Sequence, residues 1–187
     1  MLAGVTMVFG IGSLNMSLMT RIWKMGWWIV RLSAPIPVRL VLKKNGGQAE
    51  QALGRSRGGF STKIHVTVDG LGNPLRVELT AGQRHDIIMA YDMIVDLEFE
   101  FVLADRSYAA QDFLDMIRAS GAAPVIPPKR NAKEPHEYDE WRYRERHLIE
   151  CFIGKIKHFR RVFSRFDKLA PRYLGFVQFA SALIWLR

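Results

Sequence analysis

A chain of 187 residues, 49% hydrophobic and 24% charged, has the makeup of one globular domain with a substantial core. Its net charge of +9 points to a polyanionic partner, and its single cysteine, Cys151, excludes an internal disulfide and argues against a cysteine-based zinc site. No run of 18 uncharged apolar residues occurs, and the apolar start lacks the basic opening and small-residue cleavage site of a signal peptide, so no membrane span is expected and a reducing cytoplasm is the expected setting.

Residues 1–42 are rich in Met and Trp, contain no Asp or Glu, and hold neither a helical nor a strand period for long. From Lys43 the pattern becomes regular. KKNGGQAEQALGRSRGGFS (43–61) reads as a Gly-rich basic loop. KIHVTVD (63–69) and LRVELT (75–80) alternate apolar and polar residues around the turn DGLGNP, which predicts an antiparallel hairpin. Asp86 is the expected N-cap of a helix with Ile87, Ile88, Tyr91 and Ile94 on its apolar face. FEFVLAD (99–105) reads as a buried strand delivering Asp105 at its end. A helix over 109–119 stops at Gly121, and PVIP (124–127) is a second short buried strand. One long helix is predicted from about Asp139 to about Phe163, and an apolar helix over 173–187 closes the chain. A hairpin followed by alternating helices and short strands predicts an α/β domain with a mixed sheet.

The long helix carries the sharpest pattern. At 100° per residue, Tyr143, Arg146, Glu150 and Lys157 fall within about 40° of one line. Leu148, Phe152, Ile156, Phe159 and Phe163 fall opposite. Arg146 and Glu150 could be no more than an i, i+4 surface pair with Lys157 solvated beside it. The other reading starts from Asp105, which a buried strand brings to the carboxyl edge of the sheet, where open α/β sheets bind ligands. Asp105 and Glu150 on neighbouring elements could share a divalent metal through hard oxygen ligands. For Asp105 alone, capping the next helix is the competing role. Residues 129–187 hold 14 Lys and Arg against 7 Asp and Glu, so this part carries +7 of the +9.

The spacing Tyr143-x2-Arg146-x3-Glu150-x6-Lys157 resembles the signature of the DDE transposases of bacterial insertion sequences. Around it, GRSRGGFSTKIH, TAGQRHD, VLADRSYA, RRVFSRFDKL and ALIWLR are similar to the family's blocks and stand in order, covering residues 43–187. The resemblance implies a ribonuclease-H-like fold in which three carboxylates bind two Mg²⁺ ions (Mn²⁺ as the alternative) for in-line attack on a DNA phosphodiester. It makes Asp105 the second carboxylate and Glu150 the third, both as catalytic residues and as metal ligands. It makes Arg146 and Lys157 contacts to DNA phosphates, a fork donor and a point charge, and puts Tyr143 near the transposon end. Arg55, Arg57 and Lys63 in the basic loop are a second candidate phosphate contact, with a solvated loop as the bland alternative.

The first carboxylate of such a site belongs on the first strand, in a context like Val-Asp-Ser-Thr, upstream of KKNGG. Residues 1–42 offer none, and by position Asp69 (hairpin turn) and Asp86 (helix start) do not replace it. The genetic code suggests why. Trp is always TGG and Ile begins AT, so Trp27-Trp28-Ile29-Val30, shifted by two bases, contains GTG GAT xGT, which reads Val-Asp followed by Ser, Arg or Cys. The expectation is an aberrant segment 1–42, out of frame, before an incomplete catalytic domain 43–187 that also lacks any family N-terminal DNA-binding domain. WWIVRL (27–32) is apolar enough to take the place of the first, central strand, but it brings no Asp. Without that strand the hairpin would present an unpaired edge. The expected function is that of a DNA transposase whose chemistry is lost or severely reduced. Expected partners are transposon ends and target DNA, a second copy of the chain, and an upstream product supplying the first Asp. Two other readings stand beside it: a non-catalytic DNA-binding regulator of transposition, and a different ribonuclease-H-like nuclease.

Overall fold

The computed structural model describes residues 27–35, 50–56 and 59–186. Six strands form one mixed sheet: β1 (Trp27–Pro35), β2 (Gly54–Ser56), β3 (Gly59–Val68), β4 (Pro74–Ala81), β5 (Phe101–Ala104) and β6 (Ala123–Val125). The order is β2-β3-β1-β5-β6, with β4 also paired to β3. The helices are α1 (Asp86–Ile94), α2 (Gln111–Ala119), α3 (Glu140–Tyr143), α4 (His147–Lys157), α5 (Arg160–Phe163) and α6 (Ala170–Trp185). Single 3-10 turns occupy Arg106–Tyr108 and Arg144–Arg146.

The segment without carboxylates fills the centre of the sheet. β1 pairs antiparallel with β3 from Trp28↔Val68 to Pro35↔Ser61, and parallel with β5 through Trp27↔Val102, Trp28↔Leu103 and Ile29↔Ala104. A central strand needs extended backbone and an apolar run, and this segment supplies both. The hairpin's inner edge is therefore paired. The rest of the segment expected to be aberrant, 1–26 and 36–42, lies outside the described residues.

Alternation sorts the side chains of the other strands between two cores. Ile64, Val66, Val68, Leu103 and Val125 join Ile149, Phe152 and Ile156 of α4, Val162 of α5, and Tyr173, Val177 and Ala180 of α6. On the opposite face Val102 and Ala104 join Ala90, Met93 and Ile94 of α1 and Phe113, Leu114 and Ile117 of α2. Each fully buried Leu, Ile or Phe contributes roughly 1.5–3 kcal/mol relative to exposure.

Several element boundaries differ from the sequence expectation, each for a local reason. β3 begins at Gly59, inside what reads as a loop, because β2 pairs with its first residues. Asp86 is not an N-cap. His85 holds that position without a side-chain cap, and the Asp86 carboxylate instead accepts a hydrogen bond from the Lys63 ammonium at 2.8 Å. The long helix of 139–163 is broken: Phe159 is extended (ψ 102°), and α5 follows as a separate turn. That break buries Val162 and leaves Phe163 50% exposed, the reverse of its expected core role. The last helix starts at Ala170 rather than 173.

Two devices fix the ends of α4–α5. Gly72, at φ +83° in the hairpin turn, lies so close to α4 that a Cβ there would meet the Leu148 carbonyl oxygen at 3.2 Å. Asp69 holds that turn by accepting from Leu71 N, Asn73 N and Asn73 Nδ2. After α5, Arg165 N donates to the Pro35 carbonyl at the end of β1. The fully buried Arg165 guanidinium then donates to the carbonyls of Gln51, Asp167 and Lys168 and, at 2.6 Å, to Thr62 Oγ1. Burial pulls its pKa below the ordinary arginine value. Tyr173 stacks near it, its hydroxyl donating to the Val162 carbonyl at 2.6 Å.

Candidate functional site

Asp105 follows β5 directly, and its backbone stays extended (φ −75°, ψ 169°). Phe101 and Leu103 face the core built with α4. Alternation along the strand puts Asp105 on that same side of the sheet, at the carboxyl end of β5. Its carboxylate is exposed and accepts from the Ser107 backbone N–H at 2.7 Å and from the Ser107 hydroxyl. It therefore does cap the 3-10 turn that follows, and one oxygen carries both bonds.

Glu150 stands in the first turn of α4, next to the buried Ile149. Its carboxylate, 57% exposed, pairs with Arg146 at 3.0 Å. The i, i+4 surface pair is thus present in the structure. Lys157 is exposed at the last turn of α4. Tyr143 is half-buried against the core, with its ring edge-on to Tyr138 at 5.7 Å. A 3-10 turn, Arg144–Arg146, separates it from α4.

The second basic group divides. Arg55 is exposed on β2, and Arg57 lies outside the described residues. Lys63 corrects the expectation: it is a strand residue, 8% exposed, rather than part of a surface loop. Its ammonium donates to the Arg84 carbonyl at 2.5 Å and pairs with Asp86 at 2.8 Å. A cation held this way fixes the turn before α1 and is not presented to an external phosphate.

The carboxylate inventory decides what the site can hold. No Asp or Glu occurs before Glu50, so all 18 lie within the described residues. Among those residues no three His, Cys, Asp or Glu side chains come together as a metal site. β1, the strand beside β5, has the sequence WWIVRLSAP and offers no oxygen donor of that kind. Of the three carboxylates that the resemblance leads one to expect, Asp105 and Glu150 are the two present by motif, β1 supplies no third, and no reaction step follows from them alone.

Sequence reading passed over three groups. Arg142 lies over the Phe101 ring at 3.7 Å and pairs with Asp139 at 2.8 Å, tying α3 to the start of β5. The backbone N–H of Arg142 holds the Asp139 pKa below its ordinary value, and the guanidinium adds to this. The Asp-x2-Arg spacing was the available signal. Arg165 lay in a recognised block without an assigned role. The exposed cations Lys155, Arg160 and Arg161 lay in the same basic region. No helix among the described residues is long and apolar enough to cross a membrane.

The family model of the transposase DDE domain matches residues 41–174. A protein of Brucella ovis described as the transposase for insertion sequence element IS6501 is 38% identical over 131 residues, 68% of this chain and 100% of that protein. One of Burkholderia cepacia, described for element IS402, is 25% identical over 66% of this chain and 62% of its own length. Among solved structures, a piggyBac transposase synaptic complex with hairpin DNA aligns over 58% of this chain and 24% of its own at 10% identity, with a TM-score of 0.40. The match across most of the chain, together with the full-length relative, means that this chain belongs to the DDE transposase family of bacterial insertion sequences.

Proposed function

We propose that this chain is an incomplete catalytic domain, ribonuclease-H-like in fold, of an insertion-sequence transposase: it binds DNA but does not cut or join strands alone. The observation that carries the reading is the central strand. β1 lies next to the strand that delivers Asp105, and it has no carboxylate. Residues 1–42 as out-of-frame sequence account for that strand and for the absence of acids before Glu50. Arg146, Lys157 and Arg55 are the proposed phosphate contacts, supported by their exposure. Asp105 and Glu150 remain the second and third carboxylates of a Mg²⁺ or Mn²⁺ centre that needs the first from an upstream product. The setting is the cytoplasm, and a homodimer would present two such faces to paired transposon ends.

The test is an affinity titration and a strand-joining assay on a pre-cut transposon end, with Mg²⁺ or Mn²⁺. Binding should weaken steeply with salt, by roughly 0.9 in the log–log slope per phosphate contacted, and no joined product should form. A flat salt response would sink the DNA reading. Joining that Glu150→Gln abolishes would sink the claim of incompleteness. A second reading, a regulator competing for transposon ends, draws on the same missing carboxylate. It is separated by adding the upstream product, which should restore joining only under the first reading.

A further inference from the structure

The richest unassigned surface is the stretch from Lys155 to Phe166, where α4 ends and α5 turns away. From Cys151 to Arg187 the chain has eight Lys and Arg and one acid, Asp167. Lys155, Lys157 and Arg160 are exposed, and so are two large rings, Phe163 at 50% and Phe166 at 43%. The Arg160 guanidinium stands over the Phe166 ring at 5.6 Å, joining cation and ring in one ledge. Beside it, Lys155, His158, Phe159 and Ile184 line a cavity of about 350 Å³. That volume is within the range of small-molecule clefts, roughly 300–1,000 Å³.

Cations alone would suit any polyanion. Exposed rings set among them suit one whose flat apolar faces are free, and in nucleic acid only unpaired bases are free in this way. We propose that residues 155–166 form a contact site for unpaired DNA, in which Phe163 and Phe166 stack on bases while Lys155, Lys157 and Arg160 hold the flanking phosphates. This rests on the DNA-handling function proposed above, and it adds a substrate form and a set of residues of which only Lys157 is shared with the phosphate contacts proposed there. The cavity bounded by Phe159 and Ile184 would receive one further base, with Lys155 and His158 at its rim.

The experiment is fluorescence anisotropy of the intact chain with a labelled oligothymidine single strand and, separately, a labelled duplex. Because both rings are exposed, the Phe163→Ala, Phe166→Ala double variant should keep its fold, which circular dichroism checks. It should lose about tenfold in single-strand affinity and keep duplex affinity within about twofold, while Phe166→Trp retains single-strand binding. An unchanged single-strand affinity, or equal losses for both DNAs, would overturn the proposal. So would a change in sedimentation for the double variant, which would make the rings an interface between copies. A wild-type chain that binds neither DNA would overturn the function proposed above as well, whereas intact duplex binding with an insensitive single strand would remove only this site.

Discussion

Arg165, in the connection between α5 and α6, and Glu150, in α4, could hardly be treated more differently. Arg165 has no exposed surface, and its guanidinium bonds to the loop before β2, to β3 and to its own following turn. Glu150 is 57% exposed, and its ion-pair partner, Arg146, sits one turn away on the same stretch of helix. One charge joins distant parts of the chain; the other is held locally. The lesson is that the scaffold charge is enclosed by its partners while the carboxylate of the candidate site stands open to solvent. A buried charge persists only when every donor is met. An exposed carboxylate persists whether or not anything ever binds it.

Mutations can break this comparison. Arg165→Met should cost most, about 4 kcal/mol, because it strands buried carbonyls and the Thr62 hydroxyl without a donor; the urea midpoint should fall accordingly, and a loss under 1 kcal/mol would show that the knot is dispensable. Lys63→Met should cost about 2–3 kcal/mol by leaving Asp86 nearly buried without its cation, and a Lys63→Met, Asp86→Leu double variant should recover part of that loss in the same melt.

Tyr173→Phe should cost about 1 kcal/mol and also change the alkaline behaviour. Burial pushes the Tyr173 phenol above its ordinary pKa, against the opposing effect of Arg165. Above pH ~10 the unfolded chain releases this proton while the folded one keeps it, so stability falls as pH rises, by up to about 1.4 kcal/mol per unit. In Tyr173→Phe that component of the slope should be missing from denaturant midpoints measured between pH 9 and 11. The smallest effect belongs to the candidate site: Glu150→Gln should change stability by less than about 0.5 kcal/mol, since exposed ion pairs contribute little. A loss comparable to that of Arg165→Met would mean that Glu150 is structural after all.

Much of the fold was legible. The alternation of Ile64, Val66 and Val68 gave β3 its core face, and the run ending in Asp105 gave β5. WWIVRL was also identified as able to fill the central slot. What could not be read depended on tertiary closure. Nothing in IKHFRRVF signals that Phe159 becomes extended, because the break is settled by Val162 reaching the core and Arg165 reaching Pro35. Lys63 looked like a surface cation because its partner Asp86 lies on the far side of a hairpin. The packing of Tyr143 against the core and Tyr138 is likewise a tertiary contact that helical periodicity does not reveal. For the expected carboxylate site, the sequence shows that no Asp or Glu precedes Glu50, and the coordinates add that among the described residues no three His, Cys, Asp or Glu side chains come together.

The central strand has a wider consequence. Its slot imposes an undemanding specification: nine residues able to lie extended between β3 and β5. The proposed chemistry would impose a much narrower one, a single oxygen pair at one position along that strand. Under the out-of-frame reading proposed above, a lesion in the coding DNA would satisfy the first specification and fail the second. Such a chain would be an inhibitor by occupancy, holding the ends its active counterparts need, and an element that accumulates copies of this kind would restrain its own spread.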